Sequence, residues 1–246
     1  MQGSCRRERF LLKVLEIIEF NRYLKTILSL ELLFTMGTTQ GELVIMGGRP
    51  SIGKTLMATQ MAEKASSIGA HAAYFAFEPI WIKPSDCLII KSEAGITIGQ
   101  LCARIEKLAH EQGVRLVFVD HLQKIRLDED TQYKSLKGAS RPILHTLREL
   151  AHEFGITIVV LTNIRRPIRK SYNGPILSDL DAYCPSAKNE ADMILLLDRP
   201  YLRGVEDYDS VGKDTIVIRC FRNNKGNWED DRLVFRLWCL NEHLFE

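Results

Sequence analysis

The chain has 246 residues, 46% of them hydrophobic and 26% charged, so it can bury a sizeable core in one large α/β domain or two small ones. Its 33 basic and 31 acidic side chains nearly cancel, so any nucleic-acid contact has to come from a local cluster rather than a global positive field. Of the six cysteines no two have CxxC spacing, and Cys87, Cys102 and Cys220 fall in apolar stretches, which reads as buried reduced thiols in a reducing compartment.

The amino terminus carries Arg6, Arg7 and Arg9 ahead of an apolar stretch. Lys13, Glu16 and Glu19 interrupt that stretch and no small-residue cleavage site follows, so it does not read as a secretory signal. No run reaches the length needed to cross a bilayer, and the expectation is a cytoplasmic protein with no membrane partner. Leu11, Leu15, Ile18, Leu24, Ile27 and Leu28 recur at helical spacing and predict a helix over residues 8–34, so residues 1–36 are read as an N-terminal helical linker segment. From residue 37 to 246 apolar strands alternate with amphipathic helices, the pattern of a mostly parallel sheet. Strands are expected at 42–46, 72–77, 88–91, 115–119, 157–161, 193–197, 215–219 and 233–237, and helices at 54–67, 98–112 and 142–154. The last three strands lack long helices between them and are expected to close the sheet as antiparallel hairpins. Residues 164–190 are polar and proline-interrupted, and read as one long loop, of a length usually functional or mobile in a compact domain.

Gly48-Arg-Pro-Ser-Ile-Gly-Lys-Thr55 fits the G-x-x-x-x-G-K-[ST] phosphate loop, with Arg49, Pro50, Ser51 and Ile52 inside it. Gly48 and Gly53 let the backbone curl so that N–H groups point at phosphate oxygens. Lys54 offers charge to the β- and γ-phosphates of ATP, Thr55 offers a hydroxyl to Mg²⁺, and the following helix aims its positive end at the anion. Arg115-Leu-Val-Phe-Val-Asp120 is a buried strand ending in an acid suited to hold Mg²⁺ through water. Glu78 ends the strand next after the phosphate-loop helix and is positioned to orient and deprotonate the attacking water. Asn163, at the end of another strand, could sense the γ-phosphate or simply end the strand.

Together these motifs resemble the C-terminal ATPase domain of replicative DNA helicases of the DnaB type, over about residues 40–238. The resemblance rests on Gly47–Thr55, Phe75-Ala-Phe-Glu78, Val119-Asp-His-Leu-Gln123, Ser140-Arg141 with Leu147–Gly155, Pro175–Leu180 and Glu190-Ala-Asp192. It implies a RecA-like P-loop fold, ATP hydrolysis with Mg²⁺, a homo-oligomer in the form of a hexameric ring, and 5′–3′ movement along single-stranded DNA in replication. It adds Gln123 to the nucleotide-site residues and makes Arg222 an arginine finger that acts on a neighbouring subunit's ATP. It places DNA-contacting loops at about 124–139 and 164–188, the second carrying Arg165, Arg166, Arg169 and Lys170. The chain also departs from the family. Only Pro79–Cys87 stand where the family has dozens of mostly helical residues, Asn163 replaces a sensor glutamine, and Cys220, Asn224 and Asp181 break the pattern elsewhere. Those departures keep open a second reading, a degenerate paralogue that binds ATP but serves as a regulatory or interaction subunit. A small-molecule kinase fits less well, because such kinases usually carry an arginine-rich lid and no glutamate at the position of Glu78.

Overall fold

The structure, a computed structural model, describes residues 41–80, 82, 84–92, 95–128, 136–165, 174–200, 215–224 and 227–236, with the backbone alone for 136, 137, 215, 222–224 and 227–236. The helix expected over 8–34, and with it the linker segment 1–36, lies outside the described residues.

Eight strands form one sheet: β1 (Leu43–Gly48), β2 (Ala72–Ala76), β3 (Leu88–Ser92), β4 (Leu116–Asp120), β5 (Thr157–Asn163), β6 (Met193–Asp198), β7 (Thr215–Asn224) and β8 (Asn227–Arg236). Their order is β3-β2-β4-β5-β1-β6-β7-β8. Neighbours from β3 through β6 pair in parallel, and β6–β7 and β7–β8 pair antiparallel, as the lack of long helices between the last three strands predicted.

Alternation along the buried strands divides the core between the two faces of the sheet. Val44, Met46, Tyr74, Phe118, Val159 and Leu161 meet the phosphate-loop helix α1 (Lys54–Ser67) on one face. Leu43, Ile45, Val117, Val119, Ile158 and Val160 meet α2 (Ile98–Gln112) and α3 (Leu136–Phe154) on the other. Helix α2 begins where Thr97 and Gln100 form a reciprocal cap and stops at Gly113, whose φ of 63° is left-handed. Both α1 and α2 have the bounds that periodicity predicted.

Three elements differ from expectation. Helix α3 starts at Leu136 and runs through Pro142, the residue expected to open it. Beside that proline, Ser140 is bonded to Ser186 at 3.0 Å in a buried contact that ties the early part of the helix to the core. The segment read as one long loop holds a 3₁₀ turn (Leu177–Ala182) and a short helix, α4 (Ala187–Glu190). Leu180, Cys184 and Ala187 there are fully buried, so the polar composition conceals anchor points. The hairpin is longer than predicted: β7 continues to Asn224, and β8 starts at Asn227 rather than Leu233. Cys102, Cys184 and Cys220 are buried free thiols, while Cys87 is half-buried.

Candidate nucleotide site

The phosphate loop leaves the carboxyl end of β1, which lies inside the sheet between β5 and β6. Close approach requires glycine at its start: a Cβ on Gly48 would stand 2.8 Å from Ile52 Cγ2 and 3.3 Å from Lys54 Cγ. Gly53, at φ 104°, turns the chain into α1 and caps it without a side-chain acceptor. The first turn of α1 therefore has no acidic residue competing for its N–H groups. Ser51 also has a left-handed φ, 61°, inside the loop. Pro50 and Ser51 are exposed and Ile52 is buried.

Lys54 is buried, and its Nζ donates to the carbonyls of Gly48 at 3.0 Å and Arg49 at 2.9 Å. Burial pulls its pKa down to about 8, against the favourable charge of Asp120. Arg49 turns away from the loop toward the end of β6, where its Nη2 lies 3.7 Å from Asp198 Oδ1.

Asp120, at the end of β4, is the hub of the site. Its Oδ2 accepts from Thr55 Oγ1 at 2.7 Å and from Tyr74 Oη at 2.9 Å, and its Oδ1 lies 3.6 Å from His121 Nδ1. Burial alone would raise its carboxyl, but the nearby His121 ring and the hydrogen bonds from Thr55 and Tyr74 outweigh burial and hold it below its ordinary value. The Tyr74 hydroxyl is pushed far up, first by burial and then by the charge of Asp120 and the hydrogen bond to it, so it stays a donor.

Glu78 reaches the same cleft from β2. Parallel pairing sets Ala76 against Asp120, and Phe77 N donates to the Asp120 carbonyl at 3.1 Å. Thr55, Glu78, Pro79, Ile80, Asp120 and His121 line one open cleft. On its far side Glu78 Oε1 accepts from Lys124 Nζ at 2.9 Å. That hydrogen bond, and then the charge of Lys124, hold the Glu78 carboxyl below its ordinary value.

Register sets Asn163 opposite Gly48, and Ile164 N donates to the Gly48 carbonyl at 3.1 Å, so the end of β5 flanks the loop. Gln123 does not line the cleft; its Nε2 donates to Thr162 Oγ1 at 2.7 Å, one residue before Asn163. Arg222 lies within β7, paired with Met193 and Glu229, rather than in a turn after the strand. Its side chain lies outside the described residues, as do Arg166, Arg169 and Lys170, whereas Arg165 is described and exposed.

Sequence reading missed Tyr74, His121 and Lys124. A tyrosine inside a fully buried strand signals that its hydroxyl needs a partner, which could have pointed to Tyr74. His121 touches its own neighbour Asp120, a contact that residue type alone does not reveal, and Lys124 depends on a contact with Glu78 that spacing does not encode.

Thr55 and Asp120 offer a hydroxyl and a carboxylate at hydrogen-bond distance, hard oxygen donors that suit Mg²⁺. The Lys54 ammonium and the uncapped start of α1 suit a polyphosphate beside them. The residues present therefore fit both groups.

This sheet order, with a phosphate loop on an interior strand and an acid on the next strand but one, defines an α/β fold of the RecA-like P-loop class. Residues 26–80 and 82–239 match the family described as DnaB-like helicase C terminal domain, and the chain belongs to that family. The replicative DNA helicase DnaB of Mycoplasma pneumoniae is 28% identical over 122 residues, covering 49% of this chain and 26% of that protein. The DnaB of Geobacillus stearothermophilus is 24% identical over 243 residues, covering 82% of this chain and 52% of its own length. The chain thus spans about half the length, or less, of these relatives. Among solved structures, a DnaB-like replicative helicase superposes with a TM-score of 0.67 at 19% identity, over 83% of this chain and 57% of that one. The RadB recombinase superposes with a TM-score of 0.54 at 18% identity, over 85% of this chain and 92% of that one.

Proposed function

We propose that the chain is an ATP-hydrolysing motor domain that drives movement along single-stranded DNA. The observation that carries this reading is the meeting of three separate elements at one cleft: Thr55 at the start of α1, Asp120 at the end of β4 and Glu78 after β2. In this reading Lys54 leaves the Gly48 and Arg49 carbonyls for the β- and γ-phosphate oxygens of ATP, which also receive the N–H groups at the start of α1. Thr55 and Asp120 are the residues that would hold Mg²⁺, which when bound would supply positive charge to offset that of the phosphate oxygens. Tyr74 and His121 fix the Asp120 carboxylate, and Glu78 orients the attacking water and takes its proton. Asn163, beside Gly48, either reports on the γ-phosphate or ends its strand; Gln123 acts on that strand through Thr162.

Family likeness supports the rest of the proposal: a hexameric ring, 5′–3′ polarity, a role in DNA replication, a cytoplasmic setting, and Arg222 as a finger on the neighbour's ATP. Arg165, Arg166, Arg169 and Lys170 form the local basic cluster that DNA contact requires, because the whole chain is nearly neutral. No described helix is long and apolar enough to cross a membrane. A regulatory or interaction subunit is the second reading, favoured by the short 77–87 connection between β2 and β3 where the family carries a longer segment. Steady-state ATPase with and without a single-stranded oligonucleotide, alongside a strand-separation assay, tests the two. Hydrolysis stimulated by DNA supports the motor; tight ATP binding with no turnover supports the subunit.

A further inference from the structure

Lys124 grips Glu78, the residue proposed to activate water. It closes the 3₁₀ turn Leu122–Lys124, which is anchored by buried Leu122 and by the bond from Lys124 N to the His121 carbonyl at 3.0 Å. That turn carries Nζ to 2.9 Å from Glu78 Oε1. The ammonium occupies a carboxylate oxygen that would have to accept a proton from water, and it makes Glu78 a weaker base. The pair is also breakable: the two side chains are 46% and 60% exposed, and exposed ion pairs are weak and open to competing ions. A phosphodiester is such a competitor, and Lys124 reaches the cleft through Glu78, which lines it.

Resting on the reading of Glu78 as the water-activating base, we propose that Lys124 is a positioning residue that restrains Glu78 until phosphates of single-stranded DNA draw the ammonium away. The cation thereby couples DNA binding to hydrolysis through one ion pair. Free inorganic phosphate shares the chemistry but lacks the strand's array of charges, so it leaves the restraint in place.

The test is steady-state ATPase of the full chain with and without a single-stranded oligodeoxythymidylate, for wild type, Lys124→Ala, Lys124→Arg, Glu78→Gln and the Glu78→Gln/Lys124→Ala double variant. Lys124→Ala is expected to raise the DNA-free kcat about two- to fivefold, the factor to which the coupling of an exposed ion pair corresponds, with KM for ATP unchanged. DNA stimulation shrinks by the same factor. Lys124→Arg keeps the wild-type rates, inorganic phosphate at matched concentration leaves wild type at its DNA-free rate, and the double variant shows no gain. An unchanged or lower DNA-free kcat in Lys124→Ala, with Glu78→Gln inactive, overturns the restraint and leaves the base assignment standing. Near-wild-type turnover by Glu78→Gln defeats the base assignment itself.

Discussion

Tyr74→Phe isolates one hydrogen bond at the hub of the site. The Tyr74 ring is fully buried and stacks on Phe118 at 5.7 Å between centroids, and phenylalanine keeps that packing. What is lost is the hydroxyl donated to Asp120 Oδ2 at 2.9 Å. A hydrogen bond to a charged group contributes about 1.5–3 kcal/mol, and more is lost where water cannot replace it. Asp120 is only 7% exposed, so replacement by water is limited, but Thr55 and His121 remain on the carboxylate. The expected stability loss is therefore about 1–2 kcal/mol, small enough for the protein to stay folded. The larger effect is on the metal. Removing a group that orients a ligating carboxylate typically costs about 10–100-fold in metal affinity or activity. Titrating Mg²⁺ at saturating ATP should show the half-maximal concentration moved up by that factor, with urea denaturation reporting the stability change separately. Unchanged Mg²⁺ dependence would refute the role given to Tyr74, and with it the reading of Asp120 as the metal-holding acid.

Three further outcomes are expected. Gly48→Ala drives a methyl to 2.8 Å from Ile52 and 3.3 Å from Lys54, so nucleotide titration should show ATP binding at least about tenfold weaker, with an overpacking cost of about 1–3 kcal/mol; wild-type affinity would contradict the cradle. Lys54 has a folded-state pKa of about 8 against 10.5 for the free side chain, so between those values the unfolded chain binds more protons and stability rises with pH. The rise should total on the order of 3 kcal/mol and be absent in Lys54→Met, whereas parallel pH profiles for the two would contradict it. Arg222→Ala and Glu78→Gln should each be nearly inactive and recover part of the ATPase when mixed, since a finger acting across subunits is worth about 10³–10⁵ in rate; a monomer unaffected by Arg222→Ala would end that role.

The candidate nucleotide cradle was legible because its pattern is local. Gly48, Gly53, Lys54 and Thr55 lie within one turn of chain, and the apolar strands ending near Glu78 and at Asp120 signal themselves by composition. Helices α1 and α2 were legible for the same reason, with Gly53 at one start and Thr97 and Gly113 bounding the other. The β7–β8 hairpin was under-read because Arg222-Asn-Asn and Trp228-Glu-Asp-Asp lack an apolar alternation, although the backbone ladder continues through them. Pro142 misled because proline usually opens a helix, and here the helix begins six residues earlier. Tyr74, Gln123 and Lys124 act through partners 46, 39 and 46 residues away in sequence, respectively, and only the parallel order of β2, β4 and β5 brings those partners together.

The most direct measurement compares wild type with Glu78→Gln in two assays, equilibrium binding of Mg²⁺·ATP and single-turnover hydrolysis. Loss of a general base costs about 10²–10⁴ in rate, so Glu78→Gln should bind Mg²⁺·ATP as wild type does and hydrolyse it at least about a hundredfold more slowly. Hydrolysis at the wild-type rate, or no binding of Mg²⁺·ATP by either protein, would contradict an ATP-hydrolysing site built on Thr55, Asp120 and Glu78.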